Sequence, residues 1–359
     1  MKKAKTIFVC QECGYESPKW MGQCICGQWN TMTEEKIHDI KASSNSMAST
    51  GKPSKPVPIE AVKSGLYNRV NTGINELNRV LGGGLVKGAV TLISGEPGIG
   101  KSTLILQAAA SISNQQQKVL YITGEESEEQ IKIRADRIGA LSDKLLLLSE
   151  TNIDHILSCI DDVQPDFLII DSIQTLYSQN LSSAPGTVSQ VRECANHIIR
   201  TAKVRNIPVF IVAHVTKTGE LAGPRTLEHM VDAVLHFTGE RNQELRILRS
   251  YKNRYGTTSE IGAFEMKEQG LIEFDNLSKS FLEGLEKESE GSIATSSFEG
   301  TRPLLLEIQA LVVPANVGFA RRTSIGIDNG RLNMIIAVLE KKAGVSLINH
   351  DVYINIVGG

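Results

Sequence analysis

Long apolar runs are missing from this 359-residue chain: no stretch approaches the roughly 18 residues of a membrane span. The apolar run near the start, Thr6 to Val9, is too short for a signal-peptide core. The expectation is therefore a cytoplasmic protein with no membrane partner. An excess of one charge is also missing. Lys and Arg number 38 against 40 Asp and Glu, a net charge of -2, so overall charge gives no argument for nucleic acid and any DNA contact must be local. Cysteine is scarce beyond residue 26, where only Cys159 and Cys194 remain. That distribution does not suit an extracellular disulfide framework. No internal repeat is present.

The other four cysteines crowd into residues 1–33 as Cys10-Gln11-Glu12-Cys13 and Cys24-Ile25-Cys26. Two thiolate pairs on two tight turns can surround one tetrahedral zinc ion. The metal would stabilise a segment too small to fold alone, with Trp20 and Trp29 as a tiny core. Residues 34–66 are rich in Ser, Lys and Pro and read as a flexible linker. From about residue 67 to 275, runs such as AVTLIS, VLYIT, LLLL, FLIID, PVFIVA and AVLHF alternate with helical stretches. This texture predicts an α/β domain with a mainly parallel sheet covered on both faces. ELRILRSYKNR and IGAFEMKE add an antiparallel pair. Residues 276–300 read as a second linker and 301–359 as a small partial α/β domain.

Gly95-Glu96-Pro97-Gly98-Ile99-Gly100-Lys101-Ser102 fits the Walker A pattern, fed by a strand and followed by a helix. Its glycines let backbone N–H groups turn towards phosphate oxygens, and the helix N-terminus adds partial positive charge. Lys101 would reach the β and γ phosphates of ATP, Ser102 would hold Mg2+, and Thr103 would lie near the α phosphate. FLIIDSIQT supplies a Walker B strand ending in Asp171, the second magnesium residue. TGEES places Glu125 and Glu126 beyond another strand; Glu125 is favoured as the base for water, with Glu126 as runner-up. His214, after PVFIVA, is a candidate sensor of the γ phosphate.

These motifs, with Thr72-Gly73-Ile74, LNRVLGGGL, AHVTKTG and Lys252-Asn253-Arg254-Tyr255-Gly256, resemble the RecA-type ATPase family. More narrowly, they resemble the RadA (Sms) branch of bacterial DNA repair ATPases, with an N-terminal zinc finger and a Lon-protease-like C-terminus. That branch carries KNRFG; here Tyr replaces Phe. The resemblance implies a RecA-type P-loop core and a homo-hexameric ring with ATP between subunits. It also implies binding of single-stranded and branched DNA, and branch migration together with the RecA recombinase.

Placed across a subunit interface, Lys252 and Arg254 would neutralise γ-phosphate charge as trans fingers. DNA contacts are expected at Lys217 and Arg225, in the TKTGELAGPR stretch, and along Asn180 to Arg192. The related zinc fingers have C-x-x-C in their second pair. The C-x-C here leaves strained four-thiolate zinc, weakened affinity or a degenerate knuckle as alternatives. The Lon-like segment would carry its Ser nucleophile and Lys base beyond Gly359, so it reads as truncated and no peptidase activity is expected. Two other readings of the whole chain are an ATP-dependent binding switch without translocation and a protease adaptor.

Overall fold

The computed structural model describes residues 5–37, 56, 58–61, 69–214, 225–239, 245–274, 290–299, 302–315 and 320–357. The chain divides into two compact units, Met1–Glu273 and Phe274–Gly359.

The first unit begins with a small antiparallel sheet of β1 (Lys5–Cys10), β2 (Glu16–Ser17) and β3 (Met32–Ile37), ordered β2-β1-β3. Because β3 pairs with β1 along its whole length, this ribbon reaches Ile37 and not the expected residue 33. Helix α1 (Asn75–Leu81) ends at Gly82, whose φ of 80° closes the helix in the left-handed region.

The main sheet is built from β4 (Val90–Gly95), β5 (Val119–Thr123), β6 (Leu145–Ser149), β7 (Phe167–Asp171), β8 (Val209–His214), β9 (Ala233–Thr238), β10 (Leu245–Asn253), β11 (Ile261–Lys267) and β12 (Gly270–Glu273). Its order is β12-β11-β10-β9-β4-β8-β7-β5-β6. From β9 to β6 all neighbours run parallel, and β10 to β12 extend the sheet antiparallel. The mainly parallel α/β core expected from the sequence is the observed one.

The connecting helices are α2 (Lys101–Asn114), α3 (Glu128–Ile138), α4 (Ile153–Val163), α5 (Val188–Arg205) and α6 (Arg225–Met230). Strands β4 and β5 are buried at every residue because helices cover both faces. On one face α2 sets Leu104, Ile105 and Ala108 against Ile93, Tyr121 and Phe210. On the other, Ile156 and Ile160 of α4 and Val191 and Ile198 of α5 meet Leu92, Leu120 and Ile211. Parallel register brings Gly95 level with His214, and Thr123 level with Asp171, so four strands deliver their C-terminal ends to one edge. That edge is where ligand sites form in open α/β sheets.

The second unit is a four-stranded sheet, β13 (Ser292–Glu299), β14 (Arg302–Pro314), β15 (Arg322–Ile325) and β16 (His350–Val357), ordered β13-β14-β16-β15. Helix α7 (Asn329–Val338) buries Leu332 and Ile336 against Leu347 and Val352. The 276–300 linker expectation is corrected over its last residues. Ser292–Glu299 is a full strand, because each of its residues finds a partner on β14. Among the described residues no helix is long and apolar enough to cross a membrane.

Candidate nucleotide site and metal centre

The turn between β4 and α2 contains Gly95, Gly98 and Gly100, all at positive φ (153°, 81° and 112°). Gly100 is the N-cap of α2, and a Cβ there would lie 2.6 Å from Met266 Cε. The methionine end can move aside, so it is the left-handed backbone at Gly100 that favours glycine there. Glu96, Pro97 and Ile99 complete the loop, with Ile99 buried. Lys101, 3% exposed, donates from Nζ to the carbonyl oxygens of Gly95 at 2.8 Å and Glu96 at 2.9 Å. Its ammonium therefore sits inside the mouth of the loop. Burial pulls its pKa down to about 8 while Asp171, Glu125 and Glu96 hold it up, so the cation dominates at neutral pH. Ser102 and Thr103 occupy the first turn of α2, half-buried.

Asp171 ends β7 and accepts a hydrogen bond from Tyr121 Oη. Burial first, then the Asp171 charge, pushes the Tyr121 phenol well up, so it stays a neutral donor that aims the carboxylate. The next residue, Ser172, donates from Oγ to Glu125 Oε1, and the Asp171–Ser172 peptide is cis. Gly124 makes this meeting possible. Its N–H donates to Asp171 O at 3.0 Å, and a Cβ there would lie 1.9 Å from Thr175 Oγ1.

Helix α3 does not swallow the two glutamates. Ser127 caps it in a reciprocal box with Gln130, so the helix starts at Glu128. Glu126 is engaged by Arg134 in an ion pair. Glu125 is exposed at the edge and lies in the field of Lys101. The two carboxylates thus have different surroundings, which adjacency in sequence does not disclose.

His236 is a further side chain at this edge that carries no sequence signal. Its Nδ1 lies 2.9 Å from Ser94 Oγ, and its ring meets Tyr251 edge-on at 5.5 Å. Burial, then the Lys101 charge, lowers its pKa and favours the neutral ring.

The KNRYG segment lies towards the other end of the sheet. Lys252 stands opposite Val234 at the start of β9, whereas the phosphate loop leaves β4 beside Phe237 at that strand's far end. Its residues clasp the fold. Lys252 Nζ donates to the carbonyls of Glu228 (2.7 Å), His229 (3.3 Å) and Val231 (2.8 Å), capping the C-terminus of α6. Asn253 Nδ2 donates to the carbonyls of Val80 and Leu81, closing α1. Arg254 pairs with Asp232 at 3.1 Å, and Asp232 also accepts from Val90 N–H at 3.0 Å. Gly256 packs on Gly82, where a Cβ would lie 3.2 Å from Gly82 Cα. Lys252 and Arg254 thus both engage the segment from Glu228 to Asp232.

Of the DNA candidates, Lys217 lies outside the described residues and Arg225 is the first residue of α6. His214 ends β8. The Asn180–Arg192 stretch divides: its last residues, from Val188, enter α5, and buried Gln190 donates to Ser183 O at 2.9 Å and accepts from Ser178 N–H, just before the stretch, at 2.8 Å.

The four N-terminal thiols converge. The sulfurs of Cys10, Cys13, Cys24 and Cys26 all lie within 4.8 Å of one another. Cys10 and Cys26 are 3.9 Å apart, and Cys13 and Cys24 3.5 Å. Zn–S bonds of about 2.3 Å in a tetrahedron put sulfurs about 3.8 Å apart, close to the Cys10–Cys26 and Cys13–Cys24 separations, so this four-thiol set could hold zinc. Burial raises the Cys13 and Cys24 thiols. Burial also opposes ionisation of Cys10, but hydrogen bonds from Thr31 and nearby backbone outweigh it and bring that thiol to about 6. Purified protein should hold about one zinc per chain; half an equivalent or less by elemental analysis would contradict an intact centre.

Residues 56–220 match the family model of an AAA domain, and residues 8–34 that of a rubredoxin metal binding domain. The DNA repair protein RadA of Bacillus subtilis (strain 168) is 53% identical over 364 residues, covering 100% of this chain and 79% of that protein. The DNA repair protein RadA of Listeria monocytogenes serovar 1/2a is 52% identical over 362 residues, with the same coverage. Among solved structures, the isolated ATPase domain of another protein aligns with a TM-score of 0.50 at 16% identity, covering 57% of this chain and 91% of that one. The last likeness concerns the fold alone.

Proposed function

Because this chain belongs to the RadA family of DNA repair proteins, we propose that it is a DNA-dependent ATPase that binds single-stranded DNA and drives branch migration of recombination intermediates together with the RecA recombinase. The observation that carries the reading is the division of charge across the sheet. Lys101, Asp171 and Glu125 gather at one edge, while Lys252 and Arg254 lie towards the opposite end. A pair of cations that cannot serve its own phosphate loop is suited to a neighbour's, in a ring of identical subunits that the family resemblance suggests is hexameric.

In this reading the loop from Gly95 to Ser102 cradles the phosphates of ATP, and Thr103 lies near the α phosphate. Ser102 and Asp171 would hold Mg2+, which supplies charge neutralisation at the β and γ phosphates. Tyr121 keeps the Asp171 carboxylate aimed. Glu125 orients a water and takes its proton, with Ser172 fixing its rotamer. Lys101 follows the charge that develops on the transferring phosphoryl group. Lys252 and Arg254 complete the site from the next subunit. The ribbon cysteines hold Zn2+, and Lys217 and Arg225 contact DNA.

Lys252 has a second consequence. If its ammonium leaves the α6 carbonyls for a neighbouring phosphate, the helix that follows the proposed DNA stretch loses its cap. Nucleotide state and DNA contact are then linked through one side chain. The test is branch migration of a synthetic three-strand junction by wild type, Lys252→Ala and Arg254→Ala. Both variants should bind ATP within about threefold of wild type and lose at least about tenfold in migration rate. Lys252→Ala should also lose about 1 kcal/mol of stability from the uncapped helix. Normal migration by both variants would remove the finger role.

A further inference from the structure

The two tryptophans do not form the tiny core expected of them. Trp20 is 55% exposed and Trp29 66%. The six-membered rings of both stand within 4 Å of the point a side chain on Gly22 would occupy. The ribbon is packed without them, by Cys10, Cys24 and Met32 with Phe8, Cys13 and Met21. Their placement is nonetheless ordered. Trp29 bridges to Gln23, and Asn30 N–H donates to Gly22 O at 2.8 Å. Two adjacent exposed indoles that the fold does not use mark a contact surface.

The chemistry around the indoles narrows the partner. No acidic residue occurs from Ser17 to Thr33, and Lys19 and the exposed amides of Gln23, Gln28 and Asn30 fall in that run. Two of the ribbon's acids face the ATPase core instead. Glu16 meets Arg192 of α5 at 3.5 Å, and Glu35 accepts from Ser189 Oγ. The ribbon is seated where Gly14 meets Val188, the first residue of α5, and Thr226, the second residue of α6. Those helices begin within the two stretches expected to touch DNA. Open aromatic faces with a lysine and amides, and no carboxylate in the same run of sequence, suit unpaired bases, whose π faces stack on indoles while amides reach their edges.

We propose that Trp20 and Trp29 form a base-stacking platform for single-stranded DNA, with Lys19 on its phosphates. This rests on the DNA-binding reading above and adds to it a second contact outside the ATPase core.

The chain contains two tryptophans, so its indole fluorescence reports on this platform alone. Zinc-loaded full chain is titrated with an oligothymidylate of about 30 nucleotides and with an abasic oligomer of equal length. Binding is followed in parallel by anisotropy of end-labelled DNA. Oligothymidylate should quench the emission by about a third or more, saturating with the anisotropy, while the abasic strand binds without quenching. Trp20→Ala/Trp29→Ala should weaken oligothymidylate binding at least about fivefold and spare the abasic strand. Trp20→Phe/Trp29→Phe should keep most of the affinity, and equal zinc content certifies the fold of both variants. Binding with unchanged emission and unaltered affinity in the alanine variant would overturn the platform while leaving DNA binding in place. Failure to bind either oligomer would overturn the DNA reading itself. An emission change produced by a recombinase filament and not by DNA would assign the indoles to a protein partner and overturn the proposal.

Discussion

Lys101→Ala should lower the turnover of ATP at least about a hundredfold, the scale on which removing one preorganised charge from a phosphoryl-transfer site acts. The reason lies in the site's economy of charge. Lys101 is the buried cation of this edge, and its ammonium already sits between the carbonyls of Gly95 and Glu96. Burial brings its pKa to about 8, yet three carboxylates keep it charged. A phosphate entering the loop adds negative charge and strengthens the cation further. Alanine removes the charge and leaves two carbonyls without their donor, so the empty loop should also lose about 1–2 kcal/mol of local stability. Turnover at saturating ATP, with unfolding monitored on the same variant, separates the two effects. Retention of more than a tenth of the wild-type rate would argue that another group neutralises the γ phosphate.

Glu125→Gln and Glu126→Gln should behave differently although the residues are neighbours. Glutamine at 125 keeps an oxygen to accept from Ser172 Oγ and loses only basicity. Turnover should fall by about a hundredfold, with ATP affinity within about threefold, as expected for loss of a general base. Glutamine at 126 breaks a half-exposed ion pair with Arg134, whose side chains are 21% and 36% exposed. Such pairs contribute about 0–1 kcal/mol, so turnover should stay within about threefold. The reverse order of effects would transfer the base to Glu126.

Much of the main sheet was legible because its strands are buried on both faces. AVTLIS, VLYIT and FLIID are short, β-branched and unbroken, and helices must separate them for parallel pairing. The phosphate loop was legible because its turn holds Gly95, Gly98 and Gly100 at positive φ, where glycine is favoured, and the pattern repeats that requirement. Other features depend on contacts between distant residues and leave no local trace. Asp232 reaches Val90 across 142 positions, and Tyr121 reaches Asp171 across 50. Lys252 and Arg254 announced a basic pair, but capping of α6 by Lys252 required knowledge of where that helix ends. The tryptophans misled for a related reason. Large apolar residues beside cysteines suggest a core, yet three thiols, two methionines and Phe8 already fill a ribbon this small. The end of the 276–300 stretch misled through composition. Serine-rich Ser292–Glu299 lacks buried alternation, and pairing with β14 alone makes it a strand.

Steady-state ATP hydrolysis, measured with and without oligothymidylate, bears most directly on a DNA-driven ATPase built from two subunits' charges. A several-fold stimulation by DNA, absent in Lys101→Ala, is the expected result. Hydrolysis that proceeds at one rate whether or not DNA is present would contradict it and leave a nucleotide-dependent switch in its place.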